Sequence, residues 1–289
     1  MVSGYSEKLD KTFHSLFFFC ALFSTLALAA IAIFIFYAGF PALQSVGVFH
    51  FITGTRWAPP AYFGIGSMIT GSVISTLGAI VVGVPMGLLT ALFLAEIAPK
   101  KLASFLRTAV ELLAGIPSVI YGFFGLVVIV PLIEQIFNVP AGNSMLAGII
   151  VLTIMILPTI ITLSESAIRS TPHSYREGSL ALGASRIYTL FNVVVPAARS
   201  GILTAAILGI ARAIGETMAI IMVMGNATAL TGSLLEPART LTANIALEMS
   251  YASGLHSNAL YATGIVLFLF IMLLNASLLY LNKKSLLNS

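Results

Sequence analysis

Two ionisable residues interrupt the apolar stretch from Gly201 to Gly225, Arg212 and Glu216, four positions apart. On a continuous helix that spacing puts both side chains on one face. An arginine at the centre of a bilayer costs about 2.5–3.5 kcal/mol even on a lenient insertion scale, so such a residue lines an interior path or meets a partner. Two roles are open to the pair. Either the charges neutralise each other and fix packing, or Arg212 meets an anionic substrate while Glu216 holds its side chain; the second is preferred. An arginine suits an oxyanion, because its planar fork donates two hydrogen bonds and stays charged at any relevant pH. A single arginine beside a glutamate makes a weak, transient station, as conduction requires.

A second constellation lies in the polar segment from Ser164 to Ser200, which carries four arginines and is too polar to span. It reads Glu177-Gly178-Ser179-Leu180-Ala181-Leu182-Gly183, followed thirteen residues after the last glycine by Pro196. A short helix with a small face can enter a cleft on a partner, a glycine permits a sharp turn after it, and a proline closes the next segment. The alternative is an ordinary interfacial helix with its basic residues on lipid headgroups.

Other chemistry has little support. The chain has no G-x-x-x-x-G-K-[ST] phosphate loop and no Gly-Lys pair, so it lacks that machinery for ATP hydrolysis. Asp10 is the only aspartate, which removes a pair of intramembrane aspartates, and no Ser/His pairing falls within the apolar runs. The four histidines, His14, His50, His173 and His256, have no metal-ligand spacing, so neither a metal nor another cofactor is expected. Cys20 is alone and reads as a packing residue.

The elements that must position these residues are membrane helices. Of the 289 residues, 58% are apolar and 8% charged, against roughly 25% charged in soluble domains. Mean hydropathy is +1.03. Six apolar runs of spanning length occur, near 16–40, 65–95, 106–132, 145–163, 201–225 and 259–281. The fold class is therefore all-α, a polytopic membrane protein in one domain over 1–289, with core helices two to six over about 65–285 and the polar loop over 164–200. The first run is too long for a cleavable apolar core and reads as an uncleaved helix. With the N-terminus in the cytoplasm, the inner segments hold Lys8, Lys11, Lys100, Lys101, Arg107, Arg169, Arg176, Arg186, Arg199, Lys283 and Lys284, and the outer loops only Arg56 and Arg239. That imbalance places both termini inside. The basic pI near 9.3 thus reflects membrane orientation, not nucleic acid.

Finer expectations follow. Pro85 and Pro117, flanked by glycines, kink the second and third helices. Gly66, Gly71, Ser72, Ser75 and Thr76 form a small-residue packing face. Glu96 and Glu111 form interfacial salt bridges with Lys100, Lys101 and Arg107. Trp57 and Tyr62 sit at headgroup level. Within the outer loop 226–258, residues 240–251 form a short amphipathic helix that lies on the bilayer or touches an outer partner, the first being preferred.

The spacing of Glu177, Gly183 and Pro196 resembles the E-A-A, three residues, G, nine residues, I-x-L-P loop of ABC-importer permeases; Gly178 and Ser179 replace the alanines, and valines replace Ile and Leu. The run Arg212 to Ala219, R-A-I-G-E-T-M-A, with Gly115-Ile116-Pro117-Ser118-Val119-Ile120-Tyr121-Gly122, resembles the phosphate-importer permeases of this class over nearly the whole chain. Of their two membrane subunits it is more similar to the PstC type, mainly through Met218-Ala219. The resemblance implies a type I ABC importer permease fold in a bacterial inner membrane, with no enzymatic activity of its own. It implies Arg212, Glu216 and Thr217 in the substrate path, and the loop from Glu177 to Pro196 as the coupling element. The implied partners are a PstA-like second permease subunit, a PstB-like ATPase dimer and an extracytoplasmic PstS-like phosphate-binding protein. Permeases for sulfate, molybdate or another oxyanion, secondary transporters driven by an ion gradient, and membrane enzymes are the alternatives.

Overall fold

A computed structural model describes the backbone of residues 3–287 and the side chains of residues 13–276. Its elements in order are α1 (Ser3–Val46), α2 (Val48–Thr53), a two-stranded hairpin of β1 (Trp57–Ala58) and β2 (Tyr62–Phe63), α3 (Gly66–Leu92), α4 (Lys100–Gly115), α5 (Ser118–Phe124), α6 (Val130–Phe137), α7 (Met145–Arg169), α8 (His173–Ala181), α9 (Arg186–Thr189), α10 (Val195–Ala197), α11 (Arg199–Gly215), α12 (Met218–Val223), α13 (Leu241–Glu248) and α14 (Leu255–Leu287). Single π-helical turns extend α3 over Phe93–Ile97, join α5 to α6 over Gly125–Ile129, and join α9 to α10 over Leu190–Val194. Lys8, Lys11, Lys283 and Lys284, used in the orientation argument, have side chains outside the described residues.

Five helical stretches are long and apolar enough to cross a membrane: Phe13–Val46, Gly66–Ile97, Ser118–Phe137, Met145–Arg169 and Leu255–Ala276. The sixth crossing is a bent path in which Arg186–Ala197 meets Arg199–Gly215 at 71°. The architecture is all-α and polytopic, with two corrections to the expected runs. The third does not extend over 106–132. Ile116 and Pro117 are extended (ψ 128° and 142°), so the chain breaks fully there. The segment before the break is a separate helix, α4, with Lys100, Lys101, Arg107 and Glu111 on its turns. The fourth runs six residues past its expected end, to Arg169, and Ser164 and Glu165 are buried helical residues, not part of a polar loop.

The centre of the bundle is α7, flanked by α3 and α11. Three glycines of α3 stand a turn or more apart opposite three isoleucines of α7. A Cβ would come within 2.7 Å of Ile149 at Gly78, 2.8 Å of Ile156 at Gly83 and 2.7 Å of Ile160 at Gly87. Gly209 of α11 faces Ile160 from the other side, where a Cβ would stand 2.9 Å away. Without such close approach, dispersion between helices is weak, and in lipid no hydrophobic effect replaces it. Gly83 and Gly87 therefore serve packing, and Pro85 lies within an unbroken α3. On the flank, α1 packs on α14 through Gly39 against Ala262, Phe34 on Tyr261 and Phe36 on Phe268. The most apolar window of α1 buries no residue, as befits a helix solvated by acyl chains.

Candidate functional site

The expected pairing of Arg212 with Glu216 on one face fails because the helix ends between them. Arg212 lies in the last turn of α11, and Glu216 is extended with φ −70° and ψ 131°. No ion pair joins the two among the described residues. Broken helices persist at membrane depth only when their freed backbone groups find partners. Here each does. The Thr217 hydroxyl donates to the Gly215 carbonyl at 3.2 Å, the Glu216 carboxylate accepts from the Ala219 N–H at 3.0 Å, and the Thr242 hydroxyl donates to the Glu216 carbonyl at 2.9 Å. Glu216, 9% exposed, is thus the cap on the start of α12.

Arg212 is half-buried and meets a hydroxyl in place of a carboxylate. Its Nη1 donates to Thr159 Oγ1 of α7 at 3.0 Å. Tyr121 of α5 is buried in one cluster with Ala219 at the start of α12, Gly122 lies against Ala219, and the Tyr121 hydroxyl donates to the Leu113 carbonyl at 2.6 Å. Residues from α5, α7 and α11 thus converge where α11 breaks. A cation held by a neutral acceptor keeps most of its charge for something else.

At the other end of α11 stands the second constellation. Glu177, Gly178, Ser179, Leu180 and Ala181 lie on α8, which Leu182 and Gly183 close. Gly183 has φ +85°, and its N–H donates to the Leu180 carbonyl while the Ala184 N–H donates to that of Ser179. That bond pair is a Schellman ending, which requires a left-handed residue where this glycine stands. The helix is held at its sides and open at its tip. Arg176 Nη2 reaches Glu96, at the end of α3, at 2.5 Å and donates to the Ile168 carbonyl at 2.9 Å; Ser179 meets the Thr189 hydroxyl at 2.9 Å. Glu177 is exposed, and Leu182 is 91% exposed beside a shallow groove of about 870 Å³ lined by Tyr175, Ser179, Gly183 and Tyr188. Pro196 lies two residues before Ala198, where the path bends by 71° into α11.

The salt bridges at this end join other partners than the sequence predicts. Glu96 pairs with Arg176, and Arg107 with Glu165. Glu165, 4% exposed, also accepts from Arg169 at 2.8 Å, tying α4 to α7. Its hydrogen bond raises the Arg107 pKa above its ordinary value, against desolvation that lowers it. Glu111 acts on Arg107 only through its field.

The opposite end holds a cluster the sequence reading missed. Helix α13 does not lie on a bilayer surface; Leu241, Thr242, Ala243, Asn244 and Glu248 are buried. Glu248 accepts from Trp57 Nε1 at 2.8 Å, pairs with Arg239, and contacts His256 Nε2 at 2.9 Å. Trp57 is therefore an interior residue, not a headgroup anchor, while half-exposed Tyr62 stacks on Arg56. The small face of α3 receives this cluster: Ser72 Oγ accepts from the Leu241 N–H at 2.9 Å, and any Cβ at Gly71 would overlap the Arg239 carbonyl. One signal was available, since Glu248, Arg239 and His256 are rare charges in an apolar chain.

Comparison with known proteins bears on what these two ends serve. The sequence profile of the family described as "Binding-protein-dependent transport system inner membrane component" matches residues 83–286, more than half of the chain. The chain belongs to that family. As an inner-membrane component it shares 43% identity over 267 residues with a probable ABC transporter permease protein, YqgH, of Bacillus subtilis, covering 88% of this chain and 86% of that one. It shares 35% over 293 residues with the phosphate transport system permease protein PstC of Mesorhizobium japonicum, covering 94% and 89%. Among solved structures, a bacterial ABC transporter for the import of alginate superposes with a TM-score of 0.62 at 15% identity over 91% of this chain and 94% of that one. The MetNI methionine ABC transporter in inward-facing form superposes with 0.57 at 22% identity over 77% and 94%. These two establish the type I ABC importer permease fold and nothing of the substrate.

Within such a permease the sequence Glu177 to Glu216 is mechanically continuous. A helix with an open tip leads through a bend into a 17-residue rod, and the rod ends at a break flanked by Arg212 and Glu216.

Proposed function

We propose that this chain is one of two permease subunits of an ATP-driven importer of inorganic phosphate, and that the ion passes the break between α11 and α12. The observation that carries this reading is Arg212: a guanidinium at membrane depth, half-buried, hydrogen-bonded to Thr159 and, among the described residues, not neutralised by a carboxylate. Maintaining that charge is costly unless an anion uses it. Several phosphate permeases among the relatives, PstC of Mesorhizobium japonicum and of Xylella fastidiosa included, support phosphate as that anion. Glu216 and Thr217 then shape the break, and Glu216 adds the repulsion that keeps the station weak.

In this reading α8 is the handle moved by a separate ATPase dimer, PstB-like, in the cytoplasm. Its exposed Leu182 and the groove beside Tyr188 suit a partner's cleft. A PstA-like subunit completes the path, and a PstS-like protein delivers the ion at the α13 end. The Lys and Arg distribution supports an orientation with α8 and both termini inside.

Arg212→Gln tests it. The variant should insert and assemble at normal levels while phosphate uptake by cells falls roughly tenfold to a hundredfold, the worth of a hydrogen bond to a charged group. Normal uptake removes Arg212 from the path.

A further inference from the structure

Several threonines in the helices of this chain share a habit. Thr70, Thr90, Thr108, Thr153 and Thr263 each donate the hydroxyl to the carbonyl four residues back, though Thr76 and Thr162 show no such bond. Thr159, in α7 directly after Pro158, makes no such bond among the described residues. Its oxygen accepts from Arg212 Nη1 at 3.0 Å. A hydroxyl has one hydrogen to give besides the lone pairs it accepts with, so the Thr159 hydrogen is left for another acceptor, beside the guanidinium.

The other hydroxyls of the site are already spent. Tyr121 donates to the Leu113 carbonyl, Thr217 to that of Gly215 and Thr242 to that of Glu216. We infer that Thr159 is a second ligand for the anion at Arg212: the guanidinium fixes the threonine oxygen, and the hydroxyl hydrogen donates to an oxygen of the same tetrahedral oxyanion. The inference rests on the reading of Arg212 as part of the substrate path. Its chemistry fits a passage site. Accepting from a cation polarises the O–H and strengthens its donation, and a neutral donor adds direction without adding charge, so the ion still leaves.

Thr159→Val removes the hydroxyl at nearly constant volume, and Thr159→Ser keeps it. Labelled-phosphate uptake would be measured in cells whose own copy is deleted, with membrane levels of each variant matched and Arg212→Gln run alongside. The valine variant should lose about tenfold in maximal rate with half-saturation unchanged, and serine should return the rate to within about twofold of wild type. Wild-type rates for valine, with Arg212→Gln impaired, overturn the role of Thr159 and leave that of Arg212 standing. Equal loss in valine and serine at matched levels also overturns it, since the hydroxyl is then not the group that matters. Normal rates in Arg212→Gln strike the underlying reading instead.

Discussion

At Arg212 and Glu165 the same residue chemistry has two opposite settlements. Glu165 is met by two arginines, Arg107 and Arg169, whose side chains are 35% and 50% exposed, and serves to lock α4 against α7. Arg212 is met by a threonine and keeps its charge available. The difference separates a structural ion cluster from a station for a passing ion. Glu165→Gln should therefore cost stability more than chemistry. Its loss lies between the ~0–1 kcal/mol of an exposed pair and the ~3–5 kcal/mol of a broken buried one, since both arginines retain access to solvent. The check is thermal unfolding in detergent beside uptake normalised to folded protein. A lower melting temperature with unchanged normalised uptake is expected, and the reverse pattern would move Glu165 into the transport path.

Among the elements, α8 and α11 carry the functional argument, and their ends decide it. Gly183 has open space around its missing Cβ, so a side chain there meets no neighbour, only the strain of φ +85°. For most residues that strain is about 1–2 kcal/mol, enough to unwind the Schellman ending and loosen the tip of α8. Gly183→Val should leave ATP hydrolysis by the reconstituted complex running while phosphate transport per ATP falls. Unchanged transport per ATP would mean the tip is not the handle. What the sequence revealed of these elements has a clear limit. Spans were legible because apolar length is a local property, and the Gly183 turn because only glycine is cheap there. The breaks at Ile116-Pro117 and Glu216-Thr217 were not, although a proline marked the first. Whether a helix ends at Glu216 depends on Thr242, 26 residues away, supplying a donor to its carbonyl. Likewise Arg176 finds Glu96 across 80 residues and Arg107 finds Glu165 across 58, distances at which no sequence period operates.

On the scale of the whole molecule, two charged clusters sit at opposite ends of one central helix bundle: Glu96–Arg176 with Glu165 at the α8 end, and Glu248 with Arg239, Trp57 and His256 at the α13 end. The α13 end reaches the break directly, through Thr242 on the Glu216 carbonyl. The α8 end reaches it through α11. An importer needs such an arrangement, in which events on the two sides of a membrane converge on one site between them. The orientation is open to direct test, because Cys20 is the only cysteine and can be replaced. With Cys20→Ser and Glu177→Cys in the same chain, an impermeant thiol reagent should label inside-out vesicles and spare intact cells. Labelling from outside would invert the molecule and detach α8 from any cytoplasmic ATPase.

The most direct measurement is uptake of labelled phosphate, sulfate and molybdate by cells lacking this chain, before and after its restoration and with the Arg212→Gln form in parallel. The account predicts that restoration recovers phosphate uptake alone and that the glutamine form recovers about a tenth of it or less. Recovery of sulfate or molybdate in place of phosphate, or equal recovery by both forms, contradicts it.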